Sequence, residues 1–152
     1  MPLEMAFQGS KVFERGGPYT DLYGALDARD AKRDLRLKES GPLKGFKFEN
    51  LVFPLEPKTV FYDWLYVTAL YEHREWLRNH IFRYAGFTDI EFNPGRSINC
   101  QARSCALLVT LLKNDWLDDA VSSPRAFIRL LLQKEYRPDH TGVEQEAIFS
   151  SV

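Results

Sequence analysis

Apolar residues in this 152-residue chain recur at helical spacing over most of its length and alternate in only one stretch. Met5, Phe7, Val12 and Phe13 predict a short helix over Glu4 to Glu14, stopped by Gly16-Gly17-Pro18. Thr20 can cap a helix to about Ala28, and the charged run from Arg29 to Glu39 continues helical until Ser40-Gly41-Pro42. Leu43 to Phe53 alternates imperfectly, with Phe46, Phe48, Val52 and Phe53, and predicts a short strand or hairpin. After Glu56-Pro57 comes the longest periodic stretch, where Val60, Phe61, Trp64, Leu65, Val67, Ala69 and Leu70 cover much of a central, buried helix. A further helix over Arg74 to Tyr84 ends at Gly86, and an irregular segment follows from Phe87 to Arg96. Ser97 can cap the next core helix, which carries Ala102, Ala106, Leu107, Val109, Leu111 and Leu112. Ser123-Pro124 opens a last amphipathic helix to about Lys134. The expected fold class is mainly α, an α+β arrangement with few short strands. It forms one domain over residues 1–134 with a polar, poorly ordered tail over 135–152.

Composition narrows the function classes. With 45% hydrophobic and 14% aromatic residues the chain can bury a core, so disorder is not expected. No run reaches the roughly 18 apolar residues of a membrane span, and the start lacks a signal-peptide layout, so no membrane partner and a cytosolic location are expected. If Cys100 and Cys105 share a helix, five positions apart, their side chains diverge too far to bridge, and two free thiols fit a reducing compartment. Three scattered histidines and no Cys-x-x-Cys pair give no metal-ligand spacing, so neither a metal nor another cofactor is expected. A formal net charge of −1 argues against a surface coated for nonspecific nucleic-acid binding.

The candidate chemistry sits in the first helix. Glu4, Gln8 and Lys11 fall at i, i+4 and i+7, which gathers a carboxylate, an amide and an amine on one face. A carboxylate can move protons or stabilise positive charge at an anomeric carbon. An amine of lowered pKa can attack an opened sugar aldehyde as a Schiff base. The same spacing also fits a solvated face with an ordinary salt bridge.

These residues also carry a resemblance. Glu4, Phe7, Gln8, Gly9 and Lys11 fill the positions of the NADAR superfamily signature, and Asp89, Asn99 and Ala102 match its later block. Phe-Gln-Gly-Ser-Lys-Val-Phe-Glu, Phe-Tyr-Asp-Trp-Leu-Tyr, Phe-Thr-Asp-Ile-Glu-Phe-Asn-Pro and Ser-Ile-Asn-Cys-Gln-Ala-Arg-Ser resemble the NADAR antitoxins associated with DarT-type ADP-ribosyltransferase toxins, over Leu3 to Leu132. The resemblance implies a mostly helical fold, a DarT-type toxin as partner, and hydrolysis of ADP-ribose from a modified base, guanine in nucleic acid. It implies Lys11 as Schiff-base or electrostatic catalyst, with Glu4 and Asp89 transferring protons or orienting the ribose. Family members carry a segment upstream of this helix, so the expectation is a domain without that wall of the pocket, unless further sequence or another chain supplies it.

Other residues are weaker candidates. Arg29, Lys32, Arg33 and Arg36 would form a basic stripe on a continuous helix, facing a diphosphate or a nucleic-acid backbone, or simply solvent. In an extended loop Asp89, Glu91 and Asn93 would point one way, as a ribose-binding edge would, or as any surface strand does. Asn99, Gln101 and Arg103 sit at the first turns of the following helix, where an anion is favoured. Among the aromatics of the central helix, Tyr62 is the candidate to stack on a base, and Phe7 and Gln8 complete the ligand contacts. Two rival functions remain open: an N-glycosidase acting on a small phosphoribosyl metabolite such as an early riboflavin intermediate, and a noncatalytic ADP-ribose-binding partner.

Overall fold

In the computed structural model, Phe7, Phe46, Phe53, Phe61 and Trp64 meet in one aromatic cluster that fixes how the helices sit on the sheet, with centroids 4.8 Å apart for Phe46 and Phe61 and 5.0 Å for both Phe53–Phe61 and Phe53–Trp64. The structure describes residues 1–84, 86–87 and 99–132. The sheet has three antiparallel strands in the order β1 (Lys11–Phe13), β2 (Leu43–Phe48), β3 (Leu51–Phe53). Phe46 pairs with Phe53 across β2 and β3, so the two rings share a face, and Phe48 follows them there at period two. Gly45 lies opposite Val12 in β1, and a Cβ there would stand 2.8 Å from the Phe53 carbonyl oxygen, so the hairpin closes only with glycine at that point.

Around this sheet run α1 (Leu3–Gly9), α2 (Ala28–Arg33), α3 (Arg36–Glu39), α4 (Val60–Leu70), α5 (Arg74–His80), α6 (Gln101–Lys113), α7 (Leu117–Ser122) and α8 (Pro124–Leu132), with 3-10 turns over Thr20–Gly24, Tyr71–His73 and Ile81–Arg83. The domain is therefore mainly α with a small sheet, as the hydrophobic pattern predicts. The central helix is buried almost all round, with Val60, Phe61, Tyr62, Asp63, Trp64, Leu65 and Val67 inside and Ala69 exposed. Leu107, Leu108, Leu111 and Leu112 of α6 and Phe127 and Leu130 of α8 complete the core. Ser123 caps α8 by accepting from the Ala126 N–H at 3.2 Å.

Several expected bounds are corrected. The first helix ends at Gly9 and not near Glu14: Gly9 lies against the Tyr23 ring, and Lys11 to Phe13 pair with β2. The region from Thr20 to Glu39 is three short pieces, because Asp27 starts a new helix by accepting from the Arg29 and Asp30 N–H groups, and Asp34, at φ −55° and ψ 124°, ends it. The core helix expected from Ser97 begins at Gln101 with Cys100 in the capping position. The expected helix to Tyr84 becomes α5 plus a 3-10 turn. The irregular segment after Phe87 and the tail over 135–152 lie outside the described residues, as does Ser97.

Candidate functional site

Although Lys11 is not on α1, it reaches back to it. Its Nζ donates to Gln8 Oε1 at 2.6 Å, and Gln8 Nε2 donates to Glu4 Oε1 at 2.7 Å, so the buried Gln8 amide relays between the amine and the carboxylate. Lys32 Nζ lies 3.3 Å from the same Glu4 oxygen. The Lys11 amine also stands 5.1 Å over the Phe7 ring, a cation–π geometry. The arrangement follows from local sequence. Four-residue spacing on α1 stacks Glu4 under Gln8, and the turn at Gly9-Ser10 brings the next residue into the sheet opposite Phe46.

Burial lowers the pKa of Lys11 from its ordinary value; Glu4 opposes the shift, and Lys32 adds to it by like-charge repulsion. An amine held this way keeps a larger neutral, nucleophilic fraction than a surface lysine.

The other expected site residues are placed unevenly. Phe7 is largely spent on packing, with its ring 5.2 Å from Phe46, 6.0 Å from Phe61 and edge-on to Tyr62 at 5.4 Å. Tyr62 is only 5% exposed, which leaves little open face for the stacking expected of it. The basic stripe does not form. Arg29 is exposed on α2, Lys32 turns to Glu4, and Arg36 lies beyond the break and pairs with Asp34 at 2.7 Å and Asp21 at 2.6 Å while stacking on Tyr19. Asn99 is half-buried just ahead of α6, and Arg103 is in its first turn. Asp89, Glu91 and Asn93 lie outside the described residues. Among the described residues no group of His, Cys, Asp or Glu is placed to hold a metal ion, and no helix is long and apolar enough to cross a membrane.

One cluster escaped the sequence reading. Asp63, 1% exposed in the first turn of α4, accepts from Thr59 Oγ1 at 2.6 Å and Arg103 Nη1 at 3.0 Å on one oxygen, and from Ser104 Oγ at 2.6 Å on the other. Arg103 Nη1 also donates to Thr59 Oγ1. Burial raises the Asp63 pKa, while Arg103, Ser104 and Thr59 pull it down. The signal was a lone carboxylate inside an otherwise apolar helix, where an unpaired charge does not survive.

Fold and site together define a small, mainly α domain that sets a partly desolvated lysine in a glutamine–glutamate relay beside an aromatic core. The chain matches the family model for the DarT1-associated NADAR antitoxin over residues 1–141 and belongs to that family. A comparison with curated proteins returned no match.

Proposed function

We propose that this protein hydrolyses the N-glycosidic bond between ADP-ribose and a modified nucleic-acid base, guanine by family resemblance, and so reverses the mark made by a DarT-type ADP-ribosyltransferase in the cytoplasm. The observation that carries the reading is the Lys11–Gln8–Glu4 relay, because it joins an amine whose pKa burial lowers to a carboxylate within one hydrogen-bond chain.

Of the two roles open to the lysine, electrostatics favour the nucleophile over the fixed charge. An ammonium beside the anomeric carbon would oppose the positive charge that develops as the glycosidic bond breaks, whereas a neutral amine can attack that carbon. In this scheme Lys11 Nζ bonds to C1 of the ribose, the C1–N bond breaks with its electron pair on the base nitrogen, and a proton passes to that nitrogen. The adduct opens to an imine, water adds to the imine carbon, and the amine leaves. The products are the free base, ADP-ribose and the regenerated lysine, with one water consumed. Glu4, and by the resemblance Asp89, move the protons.

The test is incubation of the protein and of its Lys11→Ala variant with DNA carrying ADP-ribosylated guanine, following release of ADP-ribose. The expected loss in the variant is about a hundredfold or more. Borohydride added during turnover is expected to leave ADP-ribose covalently on Lys11. Full turnover by Lys11→Ala refutes the assignment. The formal net charge of −1 favours a second reading, a small phosphoribosyl metabolite as substrate. Faster release from such a metabolite than from DNA decides for it, and tight ADP-ribose binding without release decides for a noncatalytic partner.

A further inference from the structure

We propose that Thr59 and Asp63 are positioning residues that hold the Arg103 guanidinium as the phosphate-facing group of the ADP-ribose site, an inference that rests on the function proposed above. Asp63 lies in α4 with both carboxylate oxygens engaged, and its side chain is 2% exposed. The acids of the ion pairs Lys32–Glu4, Arg36–Asp21 and Arg36–Asp34 are all 19% exposed or more. Burying a carboxylate does not by itself stabilise a fold relative to an apolar side chain of the same volume, so an acid buried this deeply calls for another reason.

Thr59 supplies an independent observation. It sits at φ +72°, in the left-handed region that β-branched residues rarely adopt, immediately before the first turn of α4. Glycine would relieve that backbone. Threonine brings a hydroxyl that donates to Asp63 and accepts from Arg103, so the strain is tolerated at the residue that links the carboxylate to the guanidinium.

Arg103 is the outward end of the cluster. Its Nη1 is committed to Thr59 and Asp63, while the side chain is 39% exposed, and a guanidinium has five N–H donors in a rigid fork suited to phosphate oxygens. A line of neighbouring residues leads from the cluster back to the amine. Tyr62, next to Asp63 on α4, meets the ring of Phe7, and Phe7 carries the Lys11 amine. In ADP-ribose the ribose that reacts at C1 bears the diphosphate at C5, so the group that binds phosphate has to lie close to the one that binds the anomeric carbon.

The experiment is calorimetric titration of ADP-ribose, and of adenosine as a comparator without phosphates, into the wild-type protein and into Thr59→Val, Thr59→Ser and Asp63→Asn. Circular dichroism and melting verify the fold. Losing a hydrogen bond that holds a charged group is expected to weaken ADP-ribose about tenfold or more in Thr59→Val, with recovery to within about twofold in Thr59→Ser and adenosine unchanged throughout. Asp63→Asn is expected to follow Thr59→Val. Should the buried Asp63 variant fail to fold, the Thr59 pair carries the test alone. Unchanged ADP-ribose affinity in folded Thr59→Val, or an equal loss for adenosine, overturns the proposal. Wild-type protein that binds ADP-ribose with this phosphate dependence yet releases none from DNA refutes the glycohydrolase and leaves the positioning role standing. Wild-type protein that binds no ADP-ribose overturns both.

Discussion

Replacing Glu4 by Gln tests whether the relay tunes the lysine. Glu4 and Lys11 are joined through the Gln8 amide by hydrogen bonds of 2.7 and 2.6 Å, which puts the charges at most about 7.5 Å apart along that bridge. With an effective dielectric of about 20 to 40 for this half-buried pair, the attraction is on the order of 1–2 kcal/mol. Glu4 favours the ammonium, so Glu4→Gln is expected to lower the Lys11 pKa further below its already depressed value. Lys32→Met, which removes a like charge, is expected to move it the other way. Competitive acetylation across pH 6 to 11 with peptide mapping reads the midpoint of a single lysine and does not depend on activity. A Lys11 midpoint that rises in Glu4→Gln, or does not move, would show that the Glu4 carboxylate does not hold the proton on the amine and would refute the coupling through Gln8.

The remaining predictions concern stability. Phe61→Ala empties the centre of the aromatic cluster and is expected to cost about 3–5 kcal/mol in urea unfolding. Gly9→Ala places a Cβ 2.6 Å from the Tyr23 ring and 2.9 Å from the Tyr19 carbonyl oxygen; about 1–3 kcal/mol of destabilisation is expected, and a neutral result would mean that the turn before β1 is loose. Thr59→Gly and Thr59→Val both lose the hydroxyl, but only Gly relieves the positive φ, so Gly is expected to be the more stable by about 1–2 kcal/mol. For Asp63 the folded pKa lies above the unfolded one, so the folded state binds the extra proton. Its contribution to stability therefore rises as pH falls through the raised folded value towards 3.8, and a matched Asp63→Asn pH series is expected to lose that component.

How much of this was legible beforehand differs by element. The hairpin and the central helix were, because Phe46, Phe53, Phe61 and Trp64 announce both burial and period. The end of α1 was not. Val12 and Phe13 continue a helical apolar pattern as well as they begin a strand, and only contact with β2, more than thirty residues on, decides between them. The relay was nevertheless anticipated from helical spacing, for a reason that turned out to be partly wrong: Lys11 meets Gln8 by the reach of its side chain from the strand. The basic stripe needs an intact helix through Asp34, where the backbone instead leaves the helix and the side chain accepts from Arg36 just past the break. Helix α7 has one turn and a half of Leu117-Asp-Asp-Ala-Val-Ser, too short to declare a period. The Asp63 cluster joins residues forty positions apart on two helices, a pairing that periodicity within one helix does not reveal.

Phe7 serves two masters: its ring is wedged against Phe46, Phe61 and Tyr62, and it is also the surface over which the Lys11 amine rests. Any repacking of those neighbours tilts that surface, so selection cannot adjust the heart of this domain and its reactive end independently. Lineages that drift in the aromatic cluster would have to drift in compensating pairs, and a library randomised at Phe46 and Phe61 should return survivors that are correlated with each other and with position 7.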